Sequence, residues 1–230
     1  VHQSKLASMG EMLGNIAHQW RQPLNNINLL IHFVRDNYNN KLFTKEDLDE
    51  SIKSAKIQID YMSQTIDDFR NFYKPTKNKE LFDIKKSIEK AAKITATQFE
   101  VNNIKLNIEN KSAKIDSYEN EFQQVIVNIL NNAKDAAIVK KSQEDFDARV
   151  NINIEEFDNN VKLEISNNCG TASKEVIDRM FEPYFTTKFE TQGTGIGLYM
   201  VKIIIETNMG GHISAQNSDD GLKFVIILPL

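Results

Sequence analysis

The stretch "NEFQQVIVNILNNAKDAA" (120–137) decides how the second part of the chain folds. Its apolar residues recur at helical spacing and form one face: Phe122, Val125, Ile129, Ala133 and Ala136. Polar side chains follow the opposite face at steps of 4, 4 and 3 residues: Gln124, Asn128, Asn132 and Asp135. A face that serves only solubility would carry Lys and Glu. The pattern predicts a helix over about 118–139 with a face for binding, although a plain solvated face fits the same residues.

The polar face of this predicted helix favours a metal-bound phosphate ligand. Amide and carboxylate oxygens are hard ligands that suit Mg²⁺, which arrives bound to the phosphates of a nucleotide. A second stretch, "TQGTGIGLYMVKIII" (191–205), places three glycines before an apolar helix. Glycines let backbone N–H groups approach a phosphate, and the helix start adds unpaired donors. The stretch is neither a P-loop nor a Rossmann turn, and a flexible loop with a helix cap stays open as its alternative.

Strands and helices alternate around these two stretches. The strand-like segments are 80–84, 103–110, 149–157, 161–166 and, as two strands, 211–229. A helix is expected over 84–99 with Asp83 as its cap. The segment "DNN" (158–160) is a hairpin signal between two alternating strands. Mixed strands and helices with hairpins predict an α+β sandwich.

The N-terminal part of the chain follows a different repeat, which predicts two long helices. The first, about 30 residues long, has a coiled-coil-like seam: Leu6, Met9, Leu13, Ile16, Trp20, Leu24, Ile27, Ile31 and Val34. Pro23 predicts a local kink in it. The second has an unbroken heptad seam: Leu48, Ile52, Ala55, Ile59, Met62, Ile66, Phe69 and Tyr73. Residues 37–43 are expected to be a loop, and Thr44 with Asp47 predicts a near match to a capping box.

Two long helices with a short loop between them predict an antiparallel helical hairpin. One hairpin cannot bury both seams, so we expect two chains to pair into a four-helix bundle, which makes a homodimer. The alternative is a hairpin that covers the rest of its own chain. "YKPTKNKE" (73–80) breaks the heptads with a proline and polar residues, so the expected domains are 1–75 and 80–230.

His18 is the histidine with a pattern around it. It lies two residues after Ile16 and two before Trp20, which places it nearly opposite the seam at about 100° per residue. A neutral imidazole in water is a nucleophile that can attack phosphorus. A plain surface position is the alternative for His18 and the expectation for His2, His32 and His212.

Four stretches together resemble the transmitter core of two-component sensor histidine kinases, in the order and with the spacing of that family. "MGEMLGNIAHQWRQPLNNI" (9–27) resembles the H-box, and 120–137 resembles the N-box. "FEPYFTTK" (181–188) is similar to the F-box and "GTGIGLYM" (193–200) to the G2-box. The resemblance covers essentially the whole chain. It implies a dimerisation and histidine-phosphotransfer domain followed by a GHKL-type ATP-binding domain with an α/β-sandwich fold.

The resemblance also implies roles for single residues. His18 would be the phospho-acceptor, and Gln22 would be a polar residue that positions water for dephosphorylating the partner. Gln19 replaces a frequent acid and is a poor base, so removal of the imidazole proton would fall to water or to the leaving chemistry. The nucleotide would contact Asn128, Asn132, Asp135, Asn167, Gly170, Lys188, Gly193, Thr194, Gly195, Gly197 and Leu198. ATP–Mg would lie beneath a lid over 181–197, with Mg²⁺ on Asn132 and Asn128, and the γ-phosphoryl would pass to His18 and then to a response regulator receiver domain.

"ISNNCGTAS" (165–173) departs from the family's G1-box, which usually resembles Asp-x-Gly-x-Gly. Asn167 stands where an aspartate accepts a hydrogen bond from the adenine amino group, and only Gly170 remains of the glycines. A neutral hydrogen bond contributes ~1 kcal/mol against ~1.5–3 for a charged one, which predicts a loss of roughly tenfold in affinity. Two hypotheses follow. The chain is an active kinase with a weakened nucleotide site, or a degenerate transmitter that acts as a dimeric scaffold for a response regulator.

Composition narrows the class of protein. The net charge of −4 gives no reason to expect a nucleic-acid or membrane-surface partner. Cys169 is the single cysteine, so an intrachain disulfide is excluded and a reducing compartment is expected. The apolar runs are too short to cross a bilayer, and the start carries no signal peptide pattern. We expect a cytoplasmic chain, or the cytoplasmic part of a membrane-bound sensor.

Overall fold

The computed structural model describes residues 2–39, 44–73, 78–188 and 195–230, without the side chains of 2–19, 61 and 64–73. The chain divides into two compact units. The hairpin unit holds Val1–Lys74 with Thr186–Thr194, and the sandwich unit holds Pro75–Phe185 with Gly195–Leu230.

The hairpin unit is built on helices α1 (His2–Asn39) and α2 (Lys45–Tyr73), which pack against each other. The loop predicted over 37–43 is wrong at 37–39, because α1 continues through Asn39. The Asn37 amide donates to the Phe33 carbonyl at 2.9 Å and so satisfies an acceptor of the last turn. Residues 40–43 lie outside the described part. Pro23 is buried inside α1, and the kink there stays a prediction.

The start of α2 is a reciprocal cap. The Thr44 N–H donates to Asp47 Oδ2 at 3.0 Å, and the Asp47 N–H donates to Thr44 Oγ1 at 3.1 Å. The Thr44 hydroxyl donates to Asp47 Oδ2 at 2.7 Å, and this bond, followed by the one from the Thr44 N–H, lowers the pKa of the Asp47 carboxyl below its ordinary value. The predicted capping box is confirmed.

The apolar seams of the hairpin remain open in a single chain. The exposed side chains include five seam residues: Leu24, Ile31, Leu48, Ile52 and Ile59. Where the side chains of α2 are described, the buried positions are instead Ser51 and Gln58, one residue before Ile52 and Ile59. The Ser51 hydroxyl donates to the Asp47 carbonyl at 2.7 Å. In the part of α2 whose side chains are described, one hairpin therefore buries two polar residues and leaves three apolar seam residues exposed.

The sandwich unit contains a five-stranded sheet in the order β2-β4-β5-β7-β6 and a two-stranded antiparallel sheet of β1 and β3. The strands are β1 (Glu80–Asp83), β2 (Lys105–Ile108), β3 (Lys114–Ser117), β4 (Arg149–Phe157), β5 (Asn160–Asn167), β6 (His212–Asn217) and β7 (Leu222–Pro229). Within the larger sheet, β2 runs parallel to β4, and the other neighbours are antiparallel. Residues of β5 alternate between buried and half-buried, which gives the sheet one core face.

The β4–β5 hairpin confirms its sequence signal. Phe157 pairs with Asn160, so the turn consists of two residues, and Asn160 itself belongs to β5. Asp158 and Asn159 have φ values of 42° and 58°, the left-handed backbone that a two-residue hairpin of this kind requires. Asn and Asp adopt this conformation more readily than other residues with a side chain.

Five helical segments complete the sandwich unit: α3 (Ile84–Val101), α4 (Glu119–Lys141), α5 (Lys174–Arg179), α6 (Gly197–Lys202) and a π-helical continuation of α6 (Ile203–Asn208). The buried face of α4 consists of Phe122, Val125, Ile126, Ile129, Leu130, Ala133 and Ala137. Ala136, expected on that face, is only half-buried, because the buried arc is wider than a narrow stripe and turns toward Ala137.

Helices α3, α4 and α6 form the second layer, and α4 packs against both of the others. The predicted α+β sandwich is confirmed. Strand β3, helix α5 and the π-helical turn were not foreseen from the sequence. Among the described residues, no helix is both long and apolar enough to span a membrane.

Replacing the cap of α3 tests the stability of the sandwich unit. Asp83 Oδ1 accepts from the Ser112 hydroxyl at 2.5 Å and from the Lys86 N–H at 2.9 Å, and these bonds hold the carboxyl pKa below its ordinary value of 3.8. We expect Asp83→Ala to lose about 1 kcal/mol of unfolding free energy at pH 7. Because the folded pKa is lowered, the contribution is complete above pH 3.8 and is lost as the pH falls through the folded pKa.

Urea titrations at pH 7 and pH 3 measure this effect. Asp83→Asn is the matched control, since its amide oxygen still accepts from Lys86 without titrating. An Asp83→Ala difference that stays constant over this pH range would contradict the assignment.

Gly221 meets the end of β5 too closely for any side chain. A Cβ at this position would lie 1.7 Å from the Asn167 carbonyl oxygen and 2.9 Å from Asn168 Cα, both of them backbone atoms. We expect Gly221→Ala to lose about 1–3 kcal/mol of unfolding free energy in the same titration. Gly197→Ala is the control, because none of the described residues, apart from its chain neighbours and the backbone of its own helix, places a heavy atom within 4 Å of its Cβ. Equal stability of the two variants would refute the close approach.

Candidate functional site

The predicted binding face of α4 is half-buried along its length. Its members are Gln124, Asn128, Asn132 and Asp135. Asn128 and Asn132 are one helical turn apart, so their amides share one side of α4. The Asp135 carboxylate lies 3.3 Å from Lys134 Nζ, which also donates to Gln98 Oε1 on α3 at 2.9 Å. Two neutral oxygen ligands and a partly compensated carboxylate form a donor set that suits a hard divalent cation bound to phosphate.

The glycine-led start of α6 is shaped by a close backbone contact. The Tyr184 N–H donates to the Gly195 carbonyl at 2.9 Å, and a Cβ on Gly195 would lie 2.3 Å from the Tyr184 carbonyl carbon. Gly195 also has φ +64°, so two constraints require glycine there. Helix α6 begins at Gly197 after Ile196, and no side-chain hydrogen bond caps it among the described residues. Its first N–H groups, including that of the half-buried Leu198, therefore suit an anion.

Contacts within the sandwich unit bring the α4 face and the start of α6 onto neighbouring helices. Helix α6 packs against α4, and its π-helical continuation also contacts α4. At the far end, the Asn208 amide donates to Glu121 Oε2 in the first turn of α4 at 2.8 Å. A π-helical turn widens the helix locally and is frequent near functional sites. These contacts fix the two elements relative to each other.

Asn167 occupies the last position of β5 and is 8% exposed. Its Oδ1 accepts a hydrogen bond from the Cys169 N–H at 2.9 Å, inside the buried start of the following loop. The Gly170 N–H donates to the Asp220 carbonyl at 3.2 Å. The stretch predicted to hold the base therefore has a defined backbone and a defined amide orientation.

Asparagines and one lysine hold this loop from three sides. Asn168 accepts from the Arg149 N–H at 2.7 Å and donates to the Asp147 carbonyl at 2.8 Å. Asn217 makes both hydrogen bonds to the backbone of Ala172, at 2.9 and 2.8 Å. Lys140 Nζ on α4 donates to the Asn168 carbonyl at 3.1 Å. These anchors were not predicted from the sequence, in which Asn217 and Lys140 belong to no motif and Asn168 falls at an unspecified position of the G1-box pattern.

Cys169 contributes packing to the loop. Its side chain is buried, and burial raises the pKa of the thiol, a shift that the nearby Lys140 and Lys141 only partly offset. The thiol therefore remains protonated at neutral pH and is a weak nucleophile.

A cluster of side chains around Arg179 lies before α6 along the chain. The Arg179 guanidinium lies 4.6 Å from the centre of the Phe185 ring and pairs with Glu182 at 3.1 Å and Glu175 at 3.3 Å. The pairing raises the pKa of Arg179, chiefly through its hydrogen bond to Glu182. The F-box-like stretch is thus anchored through Arg179, which the sequence analysis did not single out.

The other predicted site residues lie outside the sandwich unit or outside the described part of the chain. The backbone of His18 and Gln19 is helical in α1, and their side chains lie outside the described part, as do Gly193 and Thr194 altogether. Gln22 is exposed on α1. Lys188 belongs to the hairpin unit, and its N–H donates to Thr186 Oγ1 at 3.1 Å.

Two family models match the chain. Residues 8–78 match the His Kinase A (phospho-acceptor) domain. Residues 117–230 match the histidine kinase-, DNA gyrase B- and HSP90-like ATPase family.

Curated relatives agree with these matches. The two-component sensor PprA of Pseudomonas aeruginosa is 27% identical over 99% of this chain, which covers 25% of that protein. The sensor protein FixL of Bradyrhizobium diazoefficiens is 27% identical over 100% of this chain and 45% of its own length. Sporulation kinase A of Bacillus subtilis is 26% identical, with 98% and 35% covered. The chain spans less than half the length of these relatives.

Solved structures share the fold. The nucleotide-free catalytic domain of histidine kinase ThkA superposes with a TM-score of 0.58 at 25% identity, over 66% of this chain and 96% of that one. The structure of ThkA in complex with the response regulator protein TrrA superposes with a TM-score of 0.72 at 22% identity, over 99% of this chain and 63% of that one. The helical hairpin, the sandwich with its amide-lined α4 and the family matches lead to one conclusion: the chain belongs to the two-component sensor histidine kinases and carries their transmitter core.

Proposed function

We propose that this chain is an ATP-dependent protein histidine kinase that phosphorylates its own His18 and passes the phosphoryl group to an aspartate of a response regulator. The observation that carries the proposal is the packing of α6, whose start has no side-chain cap among the described residues, against the amide-bearing α4. One element suits phosphate oxygens and the other suits the cation that accompanies them. The expected domains, 1–75 for phosphotransfer and 80–230 for nucleotide binding, are part of the proposal.

The nucleotide would be held by groups that differ in chemistry. The amide oxygens of Asn132 and Asn128 fit Mg²⁺, which would offset the charge of the phosphates when bound. The N–H groups at Gly195, Gly197 and Leu198 would face the phosphates, with Gly193, Thr194 and Lys188 assigned to the same task from the sequence. Asn167 and Gly170 are assigned to the base side of the nucleotide site, and Asp135 belongs to its α4 face.

The reaction is an in-line displacement at the γ-phosphorus. A ring nitrogen of His18 would form the new N–P bond while the bond to the β-phosphate oxygen breaks and the nucleoside diphosphate leaves. The neutral Gln19 orients the ring at best, so the imidazole proton would pass to water. In the second step the receiver aspartate would take the phosphoryl group from His18. The exposed Gln22 is proposed to position water when the partner is dephosphorylated.

The scaffold alternative gains no support. We call the loop at 167–172, which is assigned to the base of the nucleotide, the base loop. A degenerate site would be expected to lose the contacts that hold this loop. Here Lys140, Asn168 and Asn217 hold the backbone from three sides. A preorganised loop favours binding because little ordering entropy remains to be lost.

We infer a homodimer from the open seams of the hairpin. Leu24, Ile31, Leu48, Ile52 and Ile59 would each leave water if a second hairpin packed against them. At about 25 cal/mol per Å² of apolar area, several such side chains per chain supply the driving force for a four-helix bundle. The proposed location is the cytoplasm, where the chain would stand alone or as part of a membrane-bound sensor.

Autophosphorylation with γ-labelled ATP and Mg²⁺ tests the kinase proposal. We expect acid-labile, alkali-stable label on the chain and none on His18→Ala. Asn132→Ala should reduce labelling by roughly 100-fold, because a ligand of the cation is lost. Asn131→Ala is the control, since the same truncation one residue earlier lies about 100° around α4.

Label that persists in His18→Ala would refute the assigned acceptor. If the unaltered chain took up no label, the result would favour the degenerate transmitter that acts as a scaffold.

Sedimentation equilibrium tests the dimer. Ile52→Lys places an unpaired charge in the proposed interface and should raise the dimer Kd by at least about 100-fold. Val139→Lys on α4 is the matched control, because Val139 is 60% exposed and Ile52 is 58% exposed. A monomeric unaltered chain, or an equal response to both substitutions, would contradict the proposed interface.

A further inference from the structure

The amide of Asn167 has one half engaged and one half free. Its Oδ1 accepts from the Cys169 N–H at 2.9 Å. A backbone N–H can only donate, so this bond fixes the amide with its oxygen toward Cys169. In the part of the chain that the structure describes, the Nδ2 amino group has no hydrogen-bond partner. A side chain that is 8% exposed therefore keeps a free donor.

Turning the amide over would be unfavourable. The reversed amide would place Nδ2 against the Cys169 N–H, so that two donors would face each other and a buried hydrogen bond would be lost. The loop cannot easily shift to relieve this, because Asn168 and Asn217 hold its backbone on both sides of Cys169. A ligand at Asn167 would consequently meet an amino donor together with the remaining lone pair of Oδ1.

Purines present opposite chemistry at position 6 of the ring. Adenine has an amino donor there, whereas hypoxanthine and guanine have a carbonyl acceptor. A carboxylate offers only acceptors, so it pairs with the amino group and repels the carbonyl. An amide offers both kinds of group, so it removes the repulsion on which discrimination depends.

We propose that Asn167 broadens the base selectivity of this kinase to 6-oxopurine nucleoside triphosphates. This rests on the proposed function, which sets the base against Asn167. The donor Nδ2 pairs with the oxygen at position 6, while the phosphates meet the same groups as those of ATP. His18 then attacks the γ-phosphorus, the bond to the β-phosphate oxygen breaks, and the 6-oxopurine nucleoside diphosphate leaves.

Titration calorimetry with ATP, ITP and UTP in the presence of Mg²⁺ tests the proposal on the full chain. We expect the Kd values for ATP and ITP to agree within about tenfold, with UTP much weaker. In Asn167→Asp the carboxylate gains a charged hydrogen bond to ATP and repels ITP, so the preference for ATP should rise to about 100-fold or more. Transfer of label from γ-labelled ITP to His18 should follow the same order.

Two further variants keep the test decisive. Asn159→Asp makes the same chemical change at the exposed β4–β5 turn, whose left-handed backbone Asp also adopts, so it should leave the ATP-to-ITP ratio unchanged. Asn167→Ala removes both contacts and should weaken ATP and ITP alike. Unchanged affinities in Asn167→Ala would overturn the inference.

The possible failures separate cleanly. A preference for ATP in the unaltered chain as strong as in Asn167→Asp would overturn the inference alone. Equal binding of UTP would do the same, since the base would not be recognised. If the folded chain binds none of the three nucleotides, the proposed function falls together with the inference.

Discussion

The burial of one face of α4 is the constraint on which the sandwich unit depends. Phe122, Ile126 and Leu130 are fully enclosed, so α4 cannot rotate without exposing them to water or forcing an amide into the core. The direction of the opposite face is therefore fixed by packing on the far side of the helix. The same helix anchors α6 through Glu121 and the base loop through Lys140. The positions of the proposed site residues on this unit are thus set by the packing of its apolar core.

In the hairpin unit, by contrast, polar residues are buried while apolar residues are exposed. Ser51 and Gln58 are buried while neighbouring isoleucines face outward. Such a pair of helices has little apolar burial of its own, and isolated helical hairpins gain most of their stability from packing. The sandwich unit buries its apolar core within one chain, whereas the hairpin leaves Ile52 and Ile59 exposed.

Local chemistry made much of the fold predictable from the sequence. The Thr44–Asp47 cap, the Asp83 cap and the Asp158–Asn159 turn each depend on residues within four positions of one another. The features that escaped prediction depend on distant residues. The bridge between Ala172 and Asn217 spans 45 positions, and the orientation of the Asn167 amide depends on how its loop is held. Among the proposed site residues, helical spacing predicted which amides share one face of α4, whereas it could not show what holds Asn167.

The buried thiol of Cys169 has a practical consequence. Cys169 is the single cysteine of the chain, and burial raises the pKa of its thiol. Its backbone N–H donates a hydrogen bond to the side chain of Asn167, two residues earlier. A protonated, enclosed thiol reacts with an alkylating reagent only during moments when the surrounding loop opens. The alkylation rate would thus count those openings directly, without any label being introduced. The alkylation rate of Cys169 is therefore an intrinsic measure of how often the base loop opens.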